Sequence, residues 1–216
     1  MTVDYKIIKS RSGAREYAKG AGIIEIPDGS EIKEHLILSH DSNVTPYFGI
    51  VLDPSIAVAP DSEIPVFVNI PADIGIFITN GKNHTLIDRI SKHESRYSLY
   101  GSASDGIVYR YFKLGHSRKM VNGERNAIPT EIVITNRSNS WQIISRIIFV
   151  GKSFDIFSYE DKIVGERIHF NISDENVITT RLGNAPSVKG ARMVEYSAAF
   201  EKIRIKSDTV EMRYGP

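Results

Sequence analysis

The sequence predicts an all-β protein, an antiparallel β-sandwich-like fold of about a dozen or more short strands with little helix. The first observation behind this prediction is composition, because the 216 residues include 31 Ile against 7 Leu and 12 Ala. β-branched side chains pack well on pleated sheets, whereas Leu and Ala favour helices. The second observation is periodicity, since apolar and polar residues alternate along several segments, as they do in half-buried strands.

The clearest alternation lies in residues 162–173. Val164, Ile168 and Phe170 point to one face of the predicted strand, and Arg167 and His169 point to the other. Glu166 is the exception, because it shares the apolar face.

A hairpin is predicted over residues 130–150. Ile132 and Ile134 begin it, residues 136–140 supply Asn and Ser for a turn, and residues 141–150 return. The returning segment is apolar on both faces toward its end. This pattern predicts a central strand covered on both sides.

A second hairpin is predicted over residues 201–214, at the end of the chain. Ile203 and Ile205 alternate with charged residues, and Val210 and Met212 do the same after a turn near residues 207–208. The alternation predicts two strands whose charged side chains face solvent.

The first half of the chain contains apolar runs punctuated by proline. The sequence predicts short strands that turn often, because proline cannot donate to a strand ladder. Two segments favour helix instead, residues 83–95 by the spacing of Leu86, Ile90 and His93, and residues 14–19. The predicted strands in this half and the next are 5–9, 23–26, 36–39, 47–52, 56–59, 66–70, 74–79 and 107–114.

The whole chain, residues 1–216, is predicted to be one β-sandwich-like domain, since all-β domains of this length are common. Residues 115–129 are polar and contain Gly115, Gly123 and Pro129. They provide the alternative of two β subdomains, residues 1–115 and 128–216.

Composition excludes several classes of protein. With no Cys, disulfides, zinc–thiolate sites and thiol nucleophiles are ruled out. No apolar run reaches the ~20 residues that span a bilayer, and residues 1–8 lack the apolar core of a secretory signal. A cytoplasmic location is therefore expected. The six His show no metal-binding spacing, so no metal and no cofactor are expected.

The strongest candidate for a ligand site is a loop at residues 101–106 between tyrosine-rich flanks. Gly and Ser expose backbone donors, and tyrosine offers both a stacking face and a hydroxyl. The alternative is an ordinary β-turn, because strands favour tyrosine in any case. The candidate residues are Arg96, Tyr97, Tyr100, Asp105, Tyr109 and Arg110.

Arg110 is the most unusual of these residues. It shares one face of its predicted strand with Val108, Phe112 and Leu114. A guanidinium there either pairs with a buried carboxylate or opens onto a pocket. The residues favour a structural ion pair.

A second candidate is the basic segment 113–125. Lys113, Arg118 and Lys119 are the residues expected to contact a phosphate or an acidic partner. A solvated loop is the favoured alternative. The segment lacks the aromatic residues of a single-strand binder, so nucleic acid is not an expected partner.

Two segments resemble an archaeal family of uncharacterised proteins, domain of unknown function 432. They are residues 71–77, Pro-Ala-Asp-Ile-Gly-Ile-Phe, and residues 97–111 with their Tyr-Ser-Leu-Tyr-Gly start. Asp73 stands where the family has Glu, and Tyr109 where Cys is common. The resemblance implies an archaeal origin and an accessory role beside a membrane channel, and it supplies no activity.

The sequence therefore predicts a non-enzymatic binding or accessory protein that recognises a partner protein or a small ligand, with a homo-oligomer as one arrangement. The alternative is a carbohydrate-active or other hydrolytic enzyme on the same scaffold. That alternative requires two acids that converge in a groove. The candidate acids are Asp73, Asp105, Glu160, Asp161 and Glu166.

Overall fold

The structure is a computed structural model that describes residues 6–9, 15–40, 43–81, 83–121, 126–173, 177–194, 209–213 and 215. These residues form sixteen strands and one 3-10 turn at Gly151–Ser153, which confirms the all-β prediction. The strands are β1 (Lys6–Lys9), β2 (Arg15–Lys19), β3 (Gly22–Ile26), β4 (Glu31–Leu38), β5 (Tyr47–Val58), β6 (Ser62–Asn80), β7 (Asn83–Ile90), β8 (Tyr97–Tyr100), β9 (Ile107–Leu114), β10 (Ala127–Asn136), β11 (Gln142–Val150), β12 (Ile156–Tyr159), β13 (Lys162–Ile172), β14 (Ile178–Pro186), β15 (Arg192–Met193) and β16 (Thr209–Met212).

The strands form three sheets. β1, β2 and β3 make a small antiparallel sheet, β11-β5-β9-β8 make a four-stranded sheet, and the other nine strands make the largest one. Two neighbouring pairs run parallel, β5 with β9 and β10 with β13. The sheets are therefore mixed, although most pairings are antiparallel as predicted.

One apolar cluster joins the two larger sheets and gives the molecule its sandwich-like character. Ile50 and Ile147 of the four-stranded sheet belong to it together with Ile132, Ile168 and Phe170 of the large sheet. All five side chains are fully buried. Their positions follow the alternation in the sequence, since every second residue of a strand faces the same side.

A smaller cluster seats the three-stranded sheet on the far end of β6. Tyr17 and Ile26 pack there with Ile76 and Ile90. The Tyr17 hydroxyl also donates to Asp88 at 2.5 Å. Apolar packing and a hydrogen bond thus fix the small sheet to β6 and β7.

The prediction of short, proline-broken strands is wrong for β6, which runs for 19 residues through Pro65 and Pro71. Phe67 donates its backbone N–H to Ser117 at 2.9 Å, away from the partner strand β10. Pro65 and Pro71 lie an even number of residues from Phe67, so their nitrogens also face away from β10. No ladder hydrogen bond to β10 is lost at either proline.

β5 is also longer than predicted. It is one strand that includes Pro54. Its ladder with β11 has partners at Val51 and Ile56 but none between them, because β5 carries extra residues there. Pro54 lies in this bulge, where it has no ladder hydrogen bond to interrupt.

The predicted hairpin over residues 130–150 is wrong. β10 pairs with β6 and β13 in the large sheet, whereas β11 pairs with β5 in the four-stranded sheet. Residues 137–141 therefore cross from one sheet to the other. β11 is an edge strand of its sheet and not the predicted central one, although Ile147 to Val150 are buried on both faces.

Both predicted helices are wrong within the described residues. Residues 83–90 form β7, in which Leu86 pairs with Phe77 of β6, and residues 15–19 form β2. Pairing with a neighbouring strand overrides the local helical spacing. The described part of the chain contains no helix with the length and apolarity that a bilayer crossing requires.

The remaining strand predictions are confirmed where residues are described. β13 alternates as predicted, and Val210 and Met212 of β16 are buried while Glu211 is exposed. β16 pairs with β14. The first strand of the predicted terminal hairpin lies outside the described residues.

Candidate binding cleft and the buried Arg110

The tyrosine-rich candidates lie on β8 and β9, which form an antiparallel pair. Tyr97 is opposite Arg110, and Tyr100 is opposite Ile107. Side chains of directly opposed residues point to the same side of a sheet. Tyr97 and Arg110 therefore share one face, and Tyr100 and Tyr109 lie on the other.

Two of these tyrosines serve the packing of the fold. Tyr100 is buried, and its hydroxyl donates to the Gly215 carbonyl at 2.6 Å. Tyr109 is buried as well, and its ring lies against the backbone of Gly49, where no side chain intervenes. Neither ring presents a stacking face to solvent.

The loop at residues 101–106 is exposed but closed on itself. Gly106 donates its N–H to the Ser102 carbonyl at 2.8 Å, and the Ser102 hydroxyl donates to the Asp105 carboxylate. Arg96 lies nearby in chain order and pairs with Glu94 at 3.3 Å. The six predicted ligand residues are thus not brought together into one site.

Arg110 differs from the other candidates because its guanidinium is buried and has no ionic partner among the described residues. The residue is 2% exposed. Nε and Nη2 have no hydrogen-bond acceptor among the described residues. The predicted ion pair is therefore not formed within the described part of the chain. The guanidinium instead contacts the ring of Phe112, with Cζ 5.2 Å from the ring centre.

Phe112 is the centre of a small aromatic cluster. Phe48 stacks on it at 5.5 Å between ring centres, and His93 contacts it edge-on at 5.6 Å. The Nε2 atom of His93 is buried and has no hydrogen-bond partner in the described part of the chain. Arg110 and His93 are therefore two polar groups that meet the same phenylalanine ring.

His93 also lines a cleft of about 450 Å³, which is in the size range of small-molecule sites. The cleft is formed by strands β6 and β10, the end of β9 and the segment that follows β9. The described lining residues are Phe67, Val68, Asn69, Pro71, His93, Lys113, Leu114, Gly115, His116, Ser117, Met120, Val121, Asn126, Ala127 and Pro129.

The described lining of the cleft contains basic side chains and no acidic ones. Among the described lining residues the titratable side chains are His93, Lys113 and His116, and all three are basic. Lys113 pairs at the rim with Asp53 at 2.8 Å, and the His116 Nε2 lies 3.0 Å from the Pro54 carbonyl. These contacts orient the Lys113 and His116 side chains.

The basic segment that was expected to be a solvated loop is partly built into the large sheet. Ser117 exchanges two backbone hydrogen bonds with Phe67, both of 2.9 Å. Arg118 and Lys119 are exposed and do not line the cleft. Of the three predicted phosphate contacts, only Lys113 belongs to the cleft.

The candidate acids do not converge there. Asp73 is buried and accepts a hydrogen bond from the Ser39 hydroxyl at 2.7 Å. Glu166 is also buried and accepts from the Asp155 backbone at 3.0 Å. Glu160 and Asp161 form the β12–β13 turn with φ angles of 46° and 62°. The described residues contain no group of three potential metal ligands.

Sequence reasoning missed the residues of β6 and β10 that line the cleft. Phe67 and Asn69 belong to β6, Ala127 begins β10 and Asn126 directly precedes it, so the two parts of the lining are distant in sequence. Their one local signal is a group of prolines at strand positions, which marks a ladder edge left open. The helix predicted over residues 83–95 includes His93, so the sequence did not predict that His93 lies beside Phe112.

Comparison with known proteins gives a family and no closer relative. No curated protein and no solved structure matches the chain. One family model matches residues 27–213, which is most of the sequence. The chain therefore belongs to the family described as protein of unknown function, DUF432.

Proposed function

We propose that this protein is a non-enzymatic binding protein that holds a small anionic ligand in the cleft between β6, β10 and the end of β9. The observation that carries the proposal is the lining of the cleft. Its described ionisable groups are all basic, around an apolar floor that includes Phe67, Leu114 and Ala127. Small-molecule sites commonly combine such a floor with a few converging polar groups.

His93 provides a specific hydrogen bond for such a ligand. Its Nε2 is enclosed and unbonded within the described residues, and buried polar groups are usually satisfied. A carboxylate or phosphate oxygen in the cleft accepts from His93 when that nitrogen carries the proton. Lys113 adds a positive charge at the rim, where it pairs with Asp53.

The proposal is tested by screening small carboxylates and phosphate monoesters with ligand-observed NMR, followed by calorimetric titration of those that bind. Lys113→Met is expected to weaken the binding about tenfold or more, because a hydrogen bond to a charged group contributes about 1.5–3 kcal/mol. Lys189→Met, at an exposed turn, is the matched control and is expected to bind normally. Equal affinity in the two variants would refute the role of the cleft.

Location, partners and domain organisation belong to the same proposal. One core cluster contains residues from Leu38 to Met212, which supports a single domain. A cytoplasmic location and an accessory role beside a membrane channel rest on the sequence and on the resemblance to the family. Affinity purification from the native cell, with identification of co-purifying proteins, tests both, and a channel subunit is the expected partner.

A further inference from the structure

The burial of Arg110 is costly unless the charge is compensated. Transfer of a cation from water to a protein interior carries a large desolvation penalty, and hydrogen-bonded acceptors normally offset it. Arginine does not escape this penalty by losing its proton. The ring of Phe112, 5.2 Å from Cζ, offers a cation–π contact that recovers part of the loss. It accepts no hydrogen bond from Nε or Nη2.

The two nitrogens without acceptors are adjacent on the guanidinium. Nε–H and one N–H of Nη2 point in the same direction, because the group is planar and Nη2 lies on the side of the Nε proton. This edge is a preformed fork for two oxygens of one carboxylate or phosphate. Both of its atoms are buried and lack an acceptor in the described part of the chain.

The neighbours of Arg110 place this fork at the margin of the core. Phe48 of β5 is the strand partner of Arg110 and stacks on Phe112, so these two rings lie on the core side of the guanidinium. Tyr97, opposite it on β8, is 37% exposed, and Val108, two residues earlier on β9, is 47% exposed. Both residues share the face of the sheet that carries Arg110, so this face borders solvent beside the guanidinium.

We propose that Arg110 is the centre of a second anion site, distinct from the cleft, that binds a carboxylate or phosphate group through Nε and Nη2. Phe112 supports the guanidinium from one side, and Tyr97 covers the bound oxyanion from solvent. Lys113 lies on the opposite face of β9 from Arg110, because the two are three residues apart. It takes no part in this site.

The test uses sodium acetate and sodium phosphate as separate probes at constant ionic strength, with the melting temperature as the readout. A ligand at about 100 times its Kd raises the melting temperature of a chain of this size by several degrees. The wild-type protein is expected to show this rise with at least one probe, and the responding probe identifies the anion class. Arg110→Met is expected to remove it, and Arg110→Lys to reduce it, because lysine lacks the fork.

Arg110→Met has a second expected effect that a structural arginine does not produce. Without added anion, its melting temperature is expected to equal or exceed that of the wild type, because an uncompensated buried charge has been replaced by an apolar chain. Arg137→Met, at an exposed position, controls for the general stabilisation of proteins by phosphate and is expected to respond like the wild type.

Two results would overturn the proposal. The first is an equal response of the wild type and Arg110→Met to both probes. The second is no response of the wild type to either probe. Lys113→Met, in which binding to the cleft is weakened, is expected to keep the response that Arg110→Met removes, and complete loss of the response in Lys113→Met would assign the anion to the cleft instead.

Discussion

Replacement of Asn136, a side chain of modest size, is expected to lower the free energy of unfolding strongly. It ends β10 at the point where the chain leaves the large sheet, and it is fully buried. Its Nδ2 donates to the carbonyls of Val58, Ala59 and Ser140 at 3.2, 3.0 and 2.9 Å. Its Oδ1 accepts from the N–H and the hydroxyl of Ser138 at 3.0 and 2.7 Å.

These contacts join the end of β5 to the crossover between the sheets. Asn136→Ala removes the hydrogen bonds that hold these two segments together. A buried hydrogen bond contributes about 1 kcal/mol, and an unsatisfied buried partner costs about 1–3 kcal/mol. Because the five contacts share two atoms and are not additive, we expect a loss of about 3–5 kcal/mol in the free energy of unfolding. That is a large part of the total stability of an ordinary domain.

Urea unfolding followed by circular dichroism measures this loss. Asn136→Ala is expected to lower the midpoint with an unchanged m-value, since the surface exposed on unfolding stays the same. Asn139→Ala, in the same crossover but exposed, is the matched control and is expected to lie within about 0.5 kcal/mol of the wild type. A loss below about 1 kcal/mol for Asn136→Ala would refute the argument that this side chain holds the crossover.

Two further predictions concern packing and protonation. Gly49→Ala places a Cβ atom 2.2 Å from Cδ2 of the buried Tyr109 ring. It is expected to cost about 1–3 kcal/mol in urea unfolding, whereas Gly115→Ala, whose Cβ meets nothing closer than 3.9 Å, is expected to be nearly neutral; equal effects would contradict the packing. Burial, followed by the charge of Lys33, lowers the pKa of His35 from 6.5 to about 4. The unfolded chain therefore binds more protons between these values, so the contribution of His35 to stability is complete above pH 6.5 and lost as the pH falls toward 4. Urea midpoints measured across this window are expected to fall less steeply for His35→Gln than for the wild type, and parallel curves would contradict the assignment.

The strands were predictable from sequence because their signal is local. In β13 every second side chain from Ile168 to Ile172 is buried, and this follows from the geometry of one strand without knowledge of its partners. The same holds for Val210 and Met212 in β16. The helix predicted over residues 83–90 is wrong for the converse reason. Leu86 and Ile90 have helical spacing, and the segment is a strand because it pairs with β6.

The pairing of strands was not predictable, because it depends on residues far apart in the chain. Asn136 was assigned to a turn for its ability to bond the nearby backbone, and it does accept from Ser138. Its donors, however, reach Val58 and Ala59, more than 70 residues away. The cleft shares this origin, since its floor joins Phe67 to Ala127 and depends on the register of β6 with β10.

Two charged residues broke the alternation in the sequence, and the structure treats them differently. Glu166 and Arg110 both occupy the face of a strand that is otherwise apolar, and both are buried. Glu166 accepts a backbone hydrogen bond from Asp155 at 3.0 Å, so the fold itself compensates its charge. Arg110 has only the ring of Phe112 among the described residues. A charge on an apolar face is thus not by itself a sign of function. What distinguishes the two residues is whether the described residues supply the opposite hydrogen-bonding group, and for Arg110 we propose that an anionic ligand supplies it.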